Sequence, residues 1–130
     1  MNSIEKRALQ IVVALACLVP VGAGGTGVLL GPRMLGPTLA VSSDLDSHYR
    51  YLSGLLLGIG IGYLSTIPHI ERHGRRFALL TAIVVAGGIG RLMSLLSHGP
   101  PSGPMQAALV MELLITPGLA LWQRRVAGKS

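Results

Sequence analysis

The stretch Phe77–Leu96, FALLTAIVVAGGIGRLMSLL, decides the fold, because it is predominantly apolar and carries a single charged residue, Arg91. As a helix it spans about 30 Å, which is the thickness of the hydrocarbon core of a bilayer. A charge at this depth costs about 2.5–3.5 kcal/mol on insertion scales, so the chain must supply a partner. Glu112 is the only acidic residue that lies well inside another apolar segment. The sequence therefore predicts a helical membrane protein built around Arg91 and Glu112.

Composition supports a chain that sits in lipid. Half of the 130 residues are hydrophobic and 12% are charged, and the mean hydropathy is +0.60. A chain of this length forms one domain, 1–130, and in water it could not bury so much apolar surface. The formal net charge of +6 is compatible with nucleic acid, but the basic residues flank apolar segments and the chain has one Phe. We therefore predict membrane lipid as a partner and no nucleic acid.

The apolar segments predict an all-α, integral membrane four-helix bundle. Lys6 and Arg7 before an apolar run are also typical of a signal peptide, but the run continues to Leu30, which favours an uncleaved first helix. Pro32 and Pro37 interrupt the first loop, and Ser43 is the expected N-cap of the second helix. The predicted helices span about 7–30, 44–70, 77–97 and 104–123.

The basic residues predict the orientation in the membrane. The N-terminus, the second loop and the C-terminus are basic, whereas the first loop is balanced and the third has no formal charge. By the positive-inside rule, both termini of this multi-pass chain are predicted to be cytoplasmic.

Glycines repeat at helical spacing in two of the predicted helices. Gly54, Gly58 and Gly62 recur every four residues and so share a face, and Gly87 and Gly90 lie on the third helix. Small residues at this spacing let transmembrane helices approach closely. We predict that these glycines are sites of helix packing.

Helical depth brings the two intramembrane charges to one level. Arg91 lies about 9 Å from Ser97 and Glu112 about 12 Å from Pro104 along their helices, and the loop between them is short. Two interpretations stay open: a structural ion pair that fixes helix register, or a polar site in which Arg91 binds an anionic or carbonyl group. The mouth of that site would contain Arg50, Asp44, Asp46 and His48.

Other chemistry finds little support in the residues. His69 and His73 have the spacing of metal ligands on a helix, but no third ligand is evident, so we predict no metal. Cys17 is the only cysteine and is expected to be a small core residue. No nucleophile–base pair or phosphate-binding loop is present, so no cofactor is predicted and enzymatic activity is not favoured.

Several stretches together resemble one protein family. They are Tyr49-Arg50-Tyr51-Leu52-Ser53-Gly54 followed by Gly58, then Gly87-Gly88-Ile89-Gly90-Arg91-Leu92-Met93-Ser94, then Glu112 with Pro117. This pattern resembles the bacterial membrane proteins grouped as domain of unknown function 4345. The resemblance implies a four-helix protein of the bacterial inner membrane and implies no activity.

The function predicted from the sequence is an accessory module, or a module that binds a small ligand or lipid, with the Arg91–Glu112 pair at its centre. The alternative is a small proton-coupled membrane transporter; a membrane enzyme acting on a lipid or quinone is a third possibility, without an evident catalytic set. A homo-oligomer or a larger membrane complex stays open as a partner.

Overall fold

The structure is a computed structural model that describes residues 2–35 and 40–129; Pro37 lies outside this part of the chain. All regular elements in the described part are helical, and they form four long helical segments. The predicted all-α fold class with four helices is confirmed. The chain divides into two compact units, here called the terminal unit (Met1–Gln10 and Pro68–Ser130) and the middle unit (Ile11–Ile67).

The first helical segment consists of α1 (Asn2–Ala16) and α2 (Leu18–Leu30), joined at Cys17. The interruption has a local cause, because Pro20 has no N–H to donate to the carbonyl of Ala16. Helical bonds continue on both sides, from Cys17 N to Val13 O and from Val21 N to Cys17 O. Gly31 ends α2 with φ +67°, a left-handed conformation that glycine adopts without steric cost, and a short 3-10 helix (Gly31–Leu35) follows.

The second segment, α3 (Ser43–Leu64), begins and ends differently from the prediction. Its N-cap is Ser42 rather than Ser43, because the Ser42 hydroxyl accepts a hydrogen bond from Leu45 N at 3.0 Å. The helix ends at Leu64 rather than near residue 70. Pro68 cannot donate to the Leu64 carbonyl, and Thr66 Oγ1 donates to the carbonyl of Tyr63. A 3-10 turn (Ile70–Arg72) leads into the next helix.

In the middle unit, α2 and α3 pack antiparallel at very short range. A Cβ at Gly24 would lie 2.6 Å from Leu57 N and 2.8 Å from Ser53 O. Nearer the other end of the contact, a Cβ at Gly60 would lie 2.7 Å from Val21 Cγ2. The backbones of the two helices therefore touch because glycine occupies the contact points.

The close contact on α3 does not follow the predicted glycine stripe. Gly60 and Ser53 are buried, whereas Gly58 is exposed and a Cβ there would meet nothing within 4 Å. A Cβ at Gly54 would make an ordinary contact with Val28 at 3.8 Å, and Gly62 is half-buried. Within the middle unit, the packing face is thus turned away from the face that carries Gly58.

The terminal unit contains α4 (Gly74–His98) and a helical segment that runs from residue 103 to 129. This segment consists of α5 (Gly103–Val110), one π-helical turn (Met111–Ile115) and α6 (Thr116–Lys129). The π turn arises where Pro117 removes a backbone donor. The amide and the hydroxyl of Thr116 both donate to the carbonyl of Met111, five residues earlier.

Three helices of the described chain are long and apolar enough to cross a membrane: Ser3–Arg33, Gly74–His98 and Gly103–Lys129. The second helix, predicted as a span over 44–70, is not among them. Its first two turns carry Asp44, Asp46, His48 and Arg50, so the apolar part before Leu64 is short. The charged and polar residues of these first turns are therefore the reason why α3 falls short of a complete apolar span.

Candidate functional site: the Arg91–Glu112 pair

Arg91 on α4 and Glu112 in the π turn are in direct contact. The Nε of Arg91 lies 2.5 Å from Oε1 of Glu112 and donates a hydrogen bond to Oε2 at 3.2 Å. The Nη1 of Arg91 donates to the thioether sulfur of Met105 at 3.1 Å. Met105 lies in α5, two turns nearer to the connecting loop than Glu112. The guanidinium of Arg91 therefore extends along α5 towards that loop.

Glycine on α4 gives the carboxylate room to reach the arginine. Gly88 is buried, and a Cβ there would lie 3.0 Å from Glu112 Cβ and 2.8 Å from Leu113 Cδ2. A Cβ at Gly87 would lie 3.9 Å from Glu112 Oε2, and one at Gly90 would meet nothing within 4 Å. Of the two glycines predicted to pack on α4, Gly87 thus borders the carboxylate and Gly90 is open, whereas the tight contact falls on Gly88.

The π turn also shapes the site. A π turn inserts one extra residue into the helix and changes the direction of the side chains that follow it. Glu112 lies in the first half of this turn, one residue after Met111, whose carbonyl accepts both bonds from Thr116. Pro117 lacks the backbone donor that an α-helix would need for the carbonyl of Leu113, and the π turn that results near Glu112 was not predicted from the sequence.

The two side chains of the pair differ in burial, because Glu112 is mostly buried and Arg91 is more exposed. The Glu112 side chain is 18% exposed, whereas the Arg91 side chain is 40% exposed. Oε1 of Glu112 is buried and, despite its short contact with Nε, receives no well-directed hydrogen bond from the described residues. A guanidinium has five N–H groups, and those on Nη2 of Arg91 have no acceptor among the described residues. The arrangement can therefore accept an oxygen ligand without breaking the ion pair.

The residues predicted at the mouth of the site have other contacts in the middle unit. Arg50 Nε donates to Asp46 Oδ2 at 2.9 Å, and its Nη1 donates to the carbonyls of Val28 at 2.7 Å and Leu29 at 3.1 Å. These carbonyls end α2, where a cation is favoured by the helix dipole. Arg50 therefore caps α2.

Asp44 and His48 are exposed on the first turns of α3. That these two residues, with Arg50 and Asp46, form the mouth of a site stays a prediction.

A second polar cluster was not predicted from the sequence. Glu5 on α1 accepts from Trp122 Nε1 at 3.3 Å and from Lys129 Nζ at 3.1 Å, and it pairs with Arg125 Nε at 3.1 Å. In the same unit, the buried Gln123 side chain donates to the carbonyl of Ile70 at 2.8 Å. The available signal was an acidic residue alone among bases at the start of an apolar helix.

Glu71 belongs to the same cluster and pairs with Lys6, whose Nζ lies 2.9 Å from Oε2. Burial of Glu71 acts to raise the pKa of its carboxyl group, but the hydrogen bond from Lys6, a backbone hydrogen bond and the charge of Lys6 outweigh burial. The pKa is therefore lowered from its ordinary value. This ion pair ties the start of α1 to the turn before α4.

Among residues 2–35 and 40–129, no three His, Cys, Asp or Glu side chains lie close enough together to hold a metal ion. His69 and His73 lie on either side of the 3-10 turn. They do not share a face of one helix, because α3, which would have aligned them, ends at Leu64. Cys17 is buried.

These features define an all-helical protein of membrane type, in which an ion pair joins Arg91 and Glu112 on neighbouring apolar segments. The chain belongs to the family described as a domain of unknown function (DUF4345), whose model matches residues 8–123. The family resemblance of the sequence is thereby confirmed. No curated protein and no solved structure matches the chain.

Proposed function

We propose that the chain is a small membrane-embedded module that binds a ligand through the guanidinium of Arg91. One observation carries the proposal: Arg91 is held in place by Glu112 and Met105, yet its side chain is 40% exposed and its Nη2 donors are not used by the described residues. A positioned guanidinium recognises the two oxygens of a carboxylate or phosphate group. The ligand class is therefore a small molecule or lipid with an anionic or carbonyl oxygen.

Glu112 has the supporting role in this proposal. Its carboxylate holds Nε, which is the inner edge of the guanidinium, and so it directs the Nη groups away from itself. The pair without ligand is neutral, which reduces the cost of keeping Arg91 in an apolar helix. A ligand that binds to the outer edge gains charge-assisted hydrogen bonds and leaves the inner pair intact.

The test compares the molecules that remain bound to gently extracted protein by native mass spectrometry. Arg91→Gln removes the charge and the fork and is expected to lose the bound molecule, while Arg91→Lys keeps the charge and is expected to retain only part of it. Arg33→Gln is the matched control, because Arg33 is an exposed arginine of the middle unit and has no part in either proposed binding surface. Equal occupancy in wild type and in folded Arg91→Gln protein would contradict the proposal.

A second candidate, proton-coupled transport, is favoured by the buried Oε1 of Glu112. An acceptor atom without a well-directed hydrogen bond is suited to take up a proton, which would release Arg91. In proteoliposomes, uptake of the Arg91 ligand driven by a proton gradient would then be lost in Glu112→Gln, while the variant would still bind that ligand. Uptake unchanged by Glu112→Gln would remove this candidate.

We further propose four membrane spans with both termini in the cytoplasm, in an inner membrane. Support comes from the antiparallel contact of α3 with α2, which brings the apolar half of α3 alongside an apolar helix, and from the distribution of basic residues. In a Cys17→Ala background, an impermeant maleimide should label Ser102→Cys in spheroplasts and Ser3→Cys only after the membrane is opened. Labelling of both positions from the outside would reject this topology.

A further inference from the structure

One end of the terminal unit carries the whole net charge of the protein. Its eight basic and two acidic residues leave a balance of +6, which equals the formal net charge of the full chain. We call this the basic end; its bases are Lys6, Arg7, Arg72, Arg75, Arg76, Arg124, Arg125 and Lys129. Its acids are Glu5 and Glu71. Contacts within the unit bring the three segments together, through the pairs Lys6–Glu71 and Glu5–Arg125.

The two acids are already committed to particular partners. Glu5 binds Arg125 and Lys129, and Glu71 binds Lys6. Four arginines remain whose side chains are exposed and form no ion pair or hydrogen bond with another described residue: Arg7, Arg72, Arg75 and Arg124. The basic end therefore presents uncompensated guanidinium groups to its surroundings.

Their positions along the helices match the depth of lipid headgroups. Arg7 directly precedes the apolar run of α1, Arg75 lies in the first turn of α4, and Arg124 follows the apolar part of α6. Trp122 lies at the same end and donates to Glu5, and tryptophan is enriched at the membrane–water interface. Since apolar helices fix the depth of these guanidinium groups, phosphates of the surrounding bilayer are within their reach.

Local electrostatics within the protein are unfavourable without an external anion. Arg75 and Arg76 occupy the first turn of α4, which has no acidic residue and no side-chain N-cap. The helix dipole places partial positive charge at this end, so two cations there repel it. An anionic group next to Arg75 relieves this repulsion as well as pairing with the arginine.

We propose that the basic end is a binding surface for the headgroups of anionic phospholipids, with Arg72, Arg75 and Arg124 as the main contacts. The surface lies apart from the Arg91–Glu112 pair within the terminal unit, at the opposite end of α4. It would concentrate anionic lipid around this end of the protein and hold it in one orientation.

The test titrates the detergent-solubilised full chain with short-chain phosphatidylglycerol and, separately, phosphatidylcholine, and counts adducts by native mass spectrometry. The wild type should bind phosphatidylglycerol more tightly, with an advantage that falls as salt rises. Arg75→Gln with Arg124→Gln should weaken phosphatidylglycerol binding by roughly 30-fold, since each basic residue near an anionic surface is worth about fivefold.

Three controls keep the experiment decisive. Arg75→Lys with Arg124→Lys preserves the charge and should stay close to wild type, and Arg33→Gln removes an exposed arginine of the middle unit and should have no effect. Arg91→Gln should leave the phosphatidylglycerol preference intact, which separates this surface from the proposed ligand site. Equal affinity for the two lipids, or an equal loss in Arg33→Gln, would overturn the proposal. Tighter binding of poly-glutamate than of phosphatidylglycerol would also overturn it and assign the surface to an acidic protein.

Discussion

Replacing Gly88 by alanine tests the close packing that supports the ion pair. The new Cβ would lie 2.8 Å from Leu113 Cδ2 and 3.0 Å from Glu112 Cβ. Carbon atoms in ordinary contact are about 3.5–4.0 Å apart, so Leu113 Cδ2 must withdraw by about 0.7 Å or more. Leu113 can turn its side chain, but Glu112 Cβ moves only with its backbone. The substitution should therefore separate α4 from the π turn and lengthen the contact between Arg91 and Glu112.

The expected magnitude follows from two opposing effects. Alanine in a helix interior is favoured over glycine by up to about 1 kcal/mol, whereas overpacking costs about 1–3 kcal/mol. Gly88→Ala should thus lower the free energy of unfolding by up to about 2 kcal/mol. Gly90→Ala should raise it, because a Cβ at Gly90 meets nothing within 4 Å. The difference between the two variants removes the helix-propensity contribution and isolates the packing cost.

The measurement is unfolding in mixed micelles by increasing sodium dodecyl sulfate, followed by circular dichroism. Gly87→Ala provides an intermediate case on the same helix, because its Cβ would lie at an ordinary distance of 3.9 Å from Glu112 Oε2. The expected order of stability is Gly90→Ala, then Gly87→Ala, then Gly88→Ala. If Gly88→Ala is as stable as Gly90→Ala, the helices do not pack against Gly88 and the geometry argued for the pair is wrong.

The remaining predictions concern the rest of the chain. Gly24→Ala should destabilise the protein by about 2 kcal/mol because its Cβ meets the backbone of α3, whereas Gly22→Ala, with nothing within 4 Å, should stabilise it in the same micelle assay. Arg50→Gln should cost about 1.5 kcal/mol and speed amide exchange in the last turn of α2, whose carbonyls it caps; unchanged exchange would exclude the cap. The lowered pKa of Glu71 means that its ionised form stabilises the fold above the ordinary carboxyl pKa of about 4.3, and this stabilisation is lost as pH falls through the lower, folded pKa. Melting temperatures from pH 7 to about pH 3 should show this loss in the wild type and a smaller one in Lys6→Gln.

The positions of Arg91 and Glu112 along their neighbouring helices were the part of the site that could be predicted well from the sequence. Both Arg91 and Glu112 were counted from a short loop, and the structure places them in contact because consecutive helices joined by so few residues pack side by side. The structural or ligand-binding role of the pair stays a prediction. The π turn was not predicted, because a proline reveals the missing donor but not how the backbone redistributes its bonds.

The choice among glycines was beyond the sequence for a different reason. Spacing of four residues identifies a face of a helix but does not show which face meets the neighbour. On α3, Ser53 and Gly60 are seven residues apart and lie on the buried face. This second pattern of small residues was not predicted, because one of its two members is a serine and only glycines were considered on α3. On α4 the same ambiguity led to the prediction of Gly87 and Gly90, whereas buried Gly88 makes the tight contact. Which face of a helix packs depends on the position of the neighbouring helix, and the sequence of one helix alone does not specify that position.

Charge follows one physical rule in two parts of the molecule. Outside the basic end, the formal charges balance as three bases and three acids: Arg33, Arg50, Arg91, Asp44, Asp46 and Glu112. Two of these bases are paired directly, Arg50 with Asp46 and Arg91 with Glu112. A charge beside apolar segments is costly unless an opposite charge in the protein neutralises it, whereas a charge at headgroup depth is solvated by water and can pair with lipid headgroups. The cost that requires Glu112 next to Arg91 does not arise at headgroup depth, which is why several arginines without a partner can cluster at the basic end in the proposed orientation.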